Sequence, residues 1–365
     1  MGGSPVDAVG RTRELDSTAS FDRSRMIHLS RPRLLRWVIG LAAAAALLLV
    51  TGELVARYGL GLGTPPLVVV HPSIEYMFAP DQDLRRFGTR QFYNRFGMRT
   101  ENFSDAKADG EFRVMVFGDS VINGGSLTDH TDLATSIAKR ELEAKGRFSD
   151  VTVGNISAGT WGPGNLLAYS QTFGFFDADL VVLVLSSHDY NDNPTFEPLD
   201  PSTHPTEPPP LALVEGLQRY LPRYLPNLAR GGPADPAADF PLEPSDAGFE
   251  DAHHGLADLR QLLTKSREAG AGVAVIQYLN THEVQSGELE PGYSAIRGLC
   301  EELGVPVYST ENVFREKMAA GESPFRDSIH PNDSGQRLLG RVLLEAMRSH
   351  LASRADGDTE ADAVR

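Results

Sequence analysis

From residue 110 onward the chain alternates short apolar strands with helical segments, and no other feature constrains the fold as tightly. "RVMVF", "VTVGNIS", "DLVVLVLSS", "GVAVIQYL" and "VPVYS" read as strands. Between them lie the helical patterns "TDLATSIAKRELEAKG", "GNLLAYSQTFGFF", "AHHGLADLRQLLTKSREAG" and "YSAIRGLCEELG", and "DSGQRLLGRVLLEAMRSHLASR" closes the series, capped by Asn332 or Asp333. "DLVVLVLSS" is almost continuously apolar, as expected of a strand buried on both faces. Strands of this kind, each followed by a helix, predict an α/β domain with a parallel sheet covered on two sides.

The 365 residues suffice for one such domain with appendages. A net charge of −15, with no Lys/Arg cluster in the globular part, excludes a nucleic-acid groove. The single cysteine, Cys300, excludes an intrachain disulfide and a cysteine-based zinc site; in "IRGLCEELG" it reads as a small buried apolar residue.

Toward the N-terminus, Arg31, Arg33 and Arg36 precede an apolar run from Trp37 to Gly52, which Leu54 and Val55 lengthen. The pattern predicts a transmembrane signal anchor over 37–57, a cleaved signal peptide and a core helix being the alternatives. Basic residues before the run place residues 1–36 in the cytoplasm and the bulk of the chain outside it, at a bacterial inner membrane. Residues 58–109 read as a juxtamembrane connector with short extended pieces, 110–352 as the α/β domain, and 353–365 as a disordered tail. Residues 193–250 interrupt the rhythm with dense proline, only "LALVEGLQRYL" looking helical; such an insertion predicts a lid or cap near a site, or else a surface excursion.

In an open parallel sheet, ligands sit beyond the carboxyl ends of the strands. The first strand delivers Gly118-Asp119-Ser120, the second "NISAGTWGPGN" and the third "SSHDYNDN". "FRDSIHPN" precedes the closing helix. A serine hydroxyl needs a base to take its proton, and the base needs a partner to fix its tautomer. Asp327 and His330 stand three apart in a turn, so the carboxylate can meet Nδ1 and leave Nε2 for Ser120. Ser120 at a helix start also brings backbone N–H groups toward a developing oxyanion. Taken singly, "GDS" is an ordinary strand-to-helix cap and "DSIHPN" a capping turn; together, at these ends of an α/β pattern, they predict a nucleophile and its relay.

On "VFGDS", "NISAGTWG", "LVLSSHDYND" and "DSIHPN", residues 110–352 resemble the SGNH, or GDSL-type, hydrolase family. The resemblance implies a flavodoxin-like three-layer fold and an esterase, O-deacetylase, lipase or acyltransferase activity without cofactor. It also implies Ser120 as nucleophile, His330 as general base and acid, and Asp327 as its orienter. The family's oxyanion hole takes the serine N–H, a glycine N–H from the second block and an asparagine from a G-x-N-D third block. Carried over, these are Ser120; Gly162, with Gly159 and Thr160 as alternatives; and His188, since "SSHD" puts Ser186 on the glycine and His188 on the asparagine. A neutral imidazole N–H can donate as an amide does; a shifted alignment uses Asn191 instead.

Other signals are weaker. "GDSVINGGS" lacks the lysine of a phosphate loop. His253 and His254 are adjacent on a helix and point apart. His188, Asp189 and Asp192 have no second histidine nearby, so no metal is expected. Trp161 reads equally as a pocket wall or a core aromatic, and "NRFGMR" (Asn94, Gly97, Arg99) as a segment without chemistry. The expected substrate is an acylated carbohydrate, above all an acetyl ester of an envelope polysaccharide, or a small ester. The rivals are a polysaccharide O-acetyltransferase, a lipid esterase or thioesterase, and a non-catalytic partner of polysaccharide biosynthesis or export proteins.

Overall fold

The computed structural model describes residues 31–221 and 249–363. Residues 1–30 of the predicted cytoplasmic tail, 222–248 of the insertion and 364–365 lie outside the described residues. The chain divides into two units, Met1–Thr51 and Gly52–Arg365. The first contains most of helix α1 (Arg31–Leu54), whose Trp37, Leu41 and Leu48 are exposed. Within the span Pro32–Gly59 the most apolar 18 residues have a mean hydropathy of 2.2, and the helix is long and apolar enough to cross a membrane.

In the second unit, the short extended pieces of residues 58–109 pair with one another. They form two antiparallel hairpins, β1 (Val68–His71) with β2 (Glu75–Phe78), and β3 (Gln82–Arg86) with β4 (Thr89–Tyr93). Five parallel strands succeed them: β5 (Glu111–Gly118), β6 (Asp150–Ser157), β7 (Leu180–Ser186), β8 (Gly272–Tyr278) and β9 (Val307–Ser309). Their order is β6-β5-β7-β8-β9, the flavodoxin-like arrangement in which chain direction across the sheet reverses beside the first strand. Each predicted strand is found, because every one carries enough β-branched and aliphatic side chains to fill both faces.

Alternation along β5 divides the core. Val114 and Val116 pack with Ala134, Ala138 and Leu142 of α3 (Ala134–Glu143) and with Leu339 and Leu343 of the closing helix. Met115 and Phe117 face the other way, toward Leu166 of α4 (Pro163–Phe173), Leu262 of the helix Phe249–Glu268 and Leu299 of the helix Pro291–Leu303. Cys300 is fully buried in this second layer, and burial pushes its thiol up to about 11, which keeps it inert. The closing helix runs from Asp333 to Ala363 and so enters the segment read as a tail from 353. "LASRADGDTEADA" holds no proline and abounds in alanine, which lets the helix continue past Arg354.

Two constraints set the end of β5. A Cβ on Gly118 would lie 2.8 Å from the Val184 carbonyl oxygen and 2.9 Å from Ile122 Cγ2, so only glycine allows strand, neighbour and adjoining helix to close up. "NRFGMR", which carries no chemistry by its sequence, is a brace for the loop beyond Ser120. Asn94 Oδ1 accepts from the N–H groups of Phe96 and Met98. The buried guanidinium of Arg99 donates to the carbonyls of Gly125 (2.7 Å) and Thr128 (2.8 Å), in the loop behind Ser120. Removing it strands the buried carbonyl of Thr128 and the half-buried one of Gly125, each of which accepts a charge-assisted hydrogen bond. Arg99→Ala should therefore lower the unfolding free energy by roughly 3 kcal/mol or more, read by urea titration, with Arg99→Lys recovering only part because one ammonium cannot span both acceptors.

His130 packs edge-on against Phe92, with Nε2 3.7 Å from Glu101. Burial, reinforced by Arg99 and Arg90 and opposed by Glu101 and Asp129, lowers its pKa to about 4. The native state thus holds this ring neutral, while the unfolded chain protonates it below the ordinary value of 6.5. Its contribution to stability is fully present above pH 6.5 and is lost as pH falls toward 4, by roughly 3 kcal/mol. A His130→Gln variant should show a shallower loss over that window in pH-resolved urea unfolding.

Candidate active site

Ser120 opens a single helical turn, α2 (Ser120–Asn123), directly after β5. Asp119 caps it, Oδ1 accepting from Val121 N–H at 2.9 Å. The turn is held from beneath by side chains of β6 that no sequence motif marks. Asn155 Nδ2 donates to the Ile122 carbonyl (2.8 Å), and Asn123 Nδ2 donates to the Ser157 carbonyl (3.1 Å). From the closing helix, Gln336 Nε2 donates to the Val121 carbonyl while its Oε1 accepts from Ala134 N–H. The only sequence signal for these is polar residues where a buried strand end should be apolar.

The turn 325–332 brings the other two groups. Asn332 caps the closing helix by accepting from the N–H groups of Ser334 and Gly335. Behind the turn, Tyr278 OH donates to the Ile329 carbonyl (2.5 Å) and Thr281 N–H to the Ser328 carbonyl (2.9 Å). Asp327 Oδ1 accepts from the N–H groups of Ile329 and His330, which orients Oδ2 onto His330 Nδ1 at 2.7 Å. His330 Nε2 lies 2.9 Å from Ser120 Oγ. Burial raises the Asp327 carboxyl, but the imidazole and the two N–H donors outweigh it and hold the group below the usual carboxylate range. Three side chains spread over 210 residues thus meet in one hydrogen-bonded row. Such a row can take a proton from the serine hydroxyl and return it to a leaving group.

The remaining candidates fall out differently. Gly162 N–H already donates to Asn165 Oδ1 (3.0 Å) in the cap of α4, so it is not free to serve as the predicted oxyanion donor. The glycine is there for another reason: a Cβ would run into the Asp192 carbonyl oxygen. Gly159 is buried, with its carbonyl accepting from Tyr76 OH, and Thr160 sits exposed at φ +54°. The Asn191 carbonyl accepts from Asn193 Nδ2. Trp161 is a core residue, its Nε1 donating to the Tyr76 carbonyl.

His188 stands in the 3-10 turn Ser187–Asn191 after β7, and its Nε2 faces carboxylates rather than open space. It lies 3.2 Å from Asp189 Oδ1 and 3.7 Å from Asp119 Oδ2. Burial pushes the Asp119 carboxyl up, against the pull of His188, the Val121 N–H and His330. Burial and the charges of Asp119 and Asp192 push Asp189 well above its ordinary value. Burial with Asp119 and Glu75 lifts Asp192 to about 7. An imidazole turned toward two carboxylates is a poor substitute for an amide donor, so the alignment of His188 with the family asparagine places the residue without giving it that role.

The described part of the insertion packs back on the hairpins. Glu75 Oε1 accepts from Thr195 and Phe196 N–H, and Val68 N–H donates to the Pro205 carbonyl.

No family model matches the chain, and no curated protein matches it. Solved structures do. An acetyl xylan esterase, AlAXEase, is 14% identical with a TM-score of 0.41, the match covering 64% of this chain and 99% of that one. A member of the lipolytic protein G-D-S-L family from Veillonella parvula DSM 2008 is 12% identical with a TM-score of 0.38, over 64% and 97%. A two-domain esterase (CEX) active on acetylated mannans is 12% identical with a TM-score of 0.43, over 66% of this chain and 50% of that one. At such scores the likeness adds nothing to the chain's own geometry.

The row of hydrogen bonds makes a direct prediction about reactivity. Asp327→Asn keeps the volume but cannot hold the imidazole in the tautomer that accepts from serine. Fluorophosphonate modification of Ser120 in the full chain should slow by roughly 10³-fold or more in this variant, followed by mass spectrometry of the labelled peptide.

Proposed function

We propose that this chain is a membrane-anchored serine esterase of the SGNH type, acting outside the cytoplasm on O-acyl esters of a cell-envelope polysaccharide. The observation that carries the proposal is the Ser120–His330–Asp327 row, with contacts of 2.9 and 2.7 Å. His330 Nε2 takes the hydroxyl proton as Ser120 Oγ attacks the acyl carbon. The tetrahedral intermediate collapses to acyl-serine as His330 returns that proton to the departing sugar oxygen. Water, giving a proton to the same imidazole, then attacks the acyl carbon; the bond to Ser120 Oγ breaks as His330 returns that proton to the serine oxygen, and the acid is released. Ser120 N–H at the start of α2 contributes to the oxyanion site through its place at the positive end of the turn.

The substrate class is inferred from location. An enzyme tethered by the span Pro32–Gly59, with arginines on its N-terminal side, works on what lies within reach of an inner-membrane surface. Acetyl is the acyl group proposed, by analogy with the carbohydrate O-deacetylases of the SGNH type that the sequence motifs resemble. Full-length protein in detergent should release p-nitrophenol from p-nitrophenyl acetate faster than from the octanoate ester. Ser120→Ala should lower that turnover by at least about 10³-fold with its melting temperature nearly unchanged. Equal rates in parent and variant would remove Ser120 from the chemistry.

A further inference from the structure

The cluster beside the nucleophile has a geometry that the proposed serine chemistry does not use. Asp119 Oδ2, His188 Nε2 and Asp189 Oδ1 come from two strand ends, and these atoms lie within 4.8 Å of one another. Each carboxylate is fixed by its other oxygen. Asp119 Oδ1 holds Val121 N–H, and Asp189 Oδ2 accepts from Ser186 N–H at 2.7 Å. The free oxygens are therefore aimed, not incidental, in the way that outer hydrogen bonds aim metal ligands. Asp189 is 1% exposed, and its Oδ1 is buried with no hydrogen bond although it faces the cluster. A buried carboxylate oxygen left in that state costs more than an ordinary unmade hydrogen bond, so something must answer it.

We propose that Asp119, His188 and Asp189 form a binding site for one divalent cation of the zinc type. Two carboxylate oxygens and one imidazole nitrogen suit zinc, which takes three protein ligands and keeps a fourth position open. Bonds of about 2.1 Å at a tetrahedral angle separate ligand atoms by about 3.4 Å. The observed 3.2 Å (His188 to Asp189) and 3.7 Å (His188 to Asp119) bracket that spacing. The ion neutralises two carboxylates that would otherwise face each other in a buried place. Access is available, because the His188 side chain is 30% exposed while its partners are not. The second histidine that the sequence lacks near His188 is replaced by Asp119, a ligand brought from a distant part of the chain by the pairing of β5 with β7.

The test is titration of chelator-treated, full-length protein in detergent with zinc chloride, read by calorimetry and thermal unfolding. One ion per chain should bind and raise the melting temperature. His188→Ala and Asp189→Asn should each weaken binding at least about tenfold. Both should keep the parent's circular dichroism, since Asn at 189 still offers an oxygen to Ser186 N–H. Ser120→Ala should bind zinc as the parent does, so loss of esterase activity and loss of the ion are read separately. Absence of binding by the parent, or equal affinity in parent, His188→Ala and Asp189→Asn, would overturn the site.

Discussion

The hydrogen bond between His330 and Ser120 depends on where the sheet reverses. With the order β6-β5-β7-β8-β9, the end of β5 has a neighbour on each side, and the chain that returns after β9 comes back over the same end. The closing helix packs against α3 and lends Gln336 to both Val121 and Ala134, so the turn before that helix has only one place to go. The 210-residue connection between Ser120 and His330 is thereby closed by core packing on Leu339 and Leu343 rather than by the polar contact itself. A hydrogen bond worth about 1 kcal/mol could not offset the ordering of so long a connection. The hydrogen-bonded row Ser120–His330–Asp327 is a consequence of the layer, and not a cause of it.

The same convergence concentrates negative charge. β5 ends beside Asp119, β7 leads into Asp189 and Asp192, and Glu75 arrives from the hairpins. One helix start and one imidazole are set against these groups. Asp327 is stabilised as a carboxylate by two N–H donors and an imidazole hydrogen bond, whereas burial is the dominant influence on Asp119 and Asp189 and pushes both carboxyls up. Two populations of aspartate thus stand at one sheet edge, one comfortable as an anion and one in need of a cation or a proton. That contrast separates the relay carboxylate from the ones proposed to hold metal.

Much of this is legible from residue order. The five strands announce themselves by apolar runs long enough to be buried twice, and Ser120, Asp327 and His330 by polar residues at strand and helix boundaries. What escapes is long-range and polar. Arg99 stands in a segment that reads as without chemistry, yet it is buried and holds the carbonyls of the loop after Ser120. Gly162 looks like an N–H donor, whereas its need is steric, a close approach to the Asp192 carbonyl that no local pattern reveals. Asp119 reads only as part of "GDS", because its pairing with His188 depends on the register of β5 beside β7. Sequence periodicity reports which faces are buried; it does not report which buried polar groups find one another.

The proline-rich insertion shows the same rule on a larger scale. Glu215, buried in a short helix (Ala212–Glu215), accepts from Gly63 N–H at 2.5 Å and pairs with the fully buried Arg86 of β3. Tyr220 adds a hydroxyl to the same guanidinium. Glu53 accepts from the N–H groups of Ala212 and Leu213, so the start of that helix is capped by a carboxylate at the very end of the apolar run. A buried Arg–Glu pair is not itself a large source of stability, because desolvation offsets much of its attraction. Its effect is on register: a slip of one residue in the insertion would leave Arg86 buried without its carboxylate, at a cost of several kcal/mol. The segment that composition marks as irregular is therefore pinned to the hairpins at Pro205, Thr195 and Glu215, and between the first two of these pins it folds into a turn in which the Asp200 carbonyl accepts from the N–H groups of Thr203 and His204.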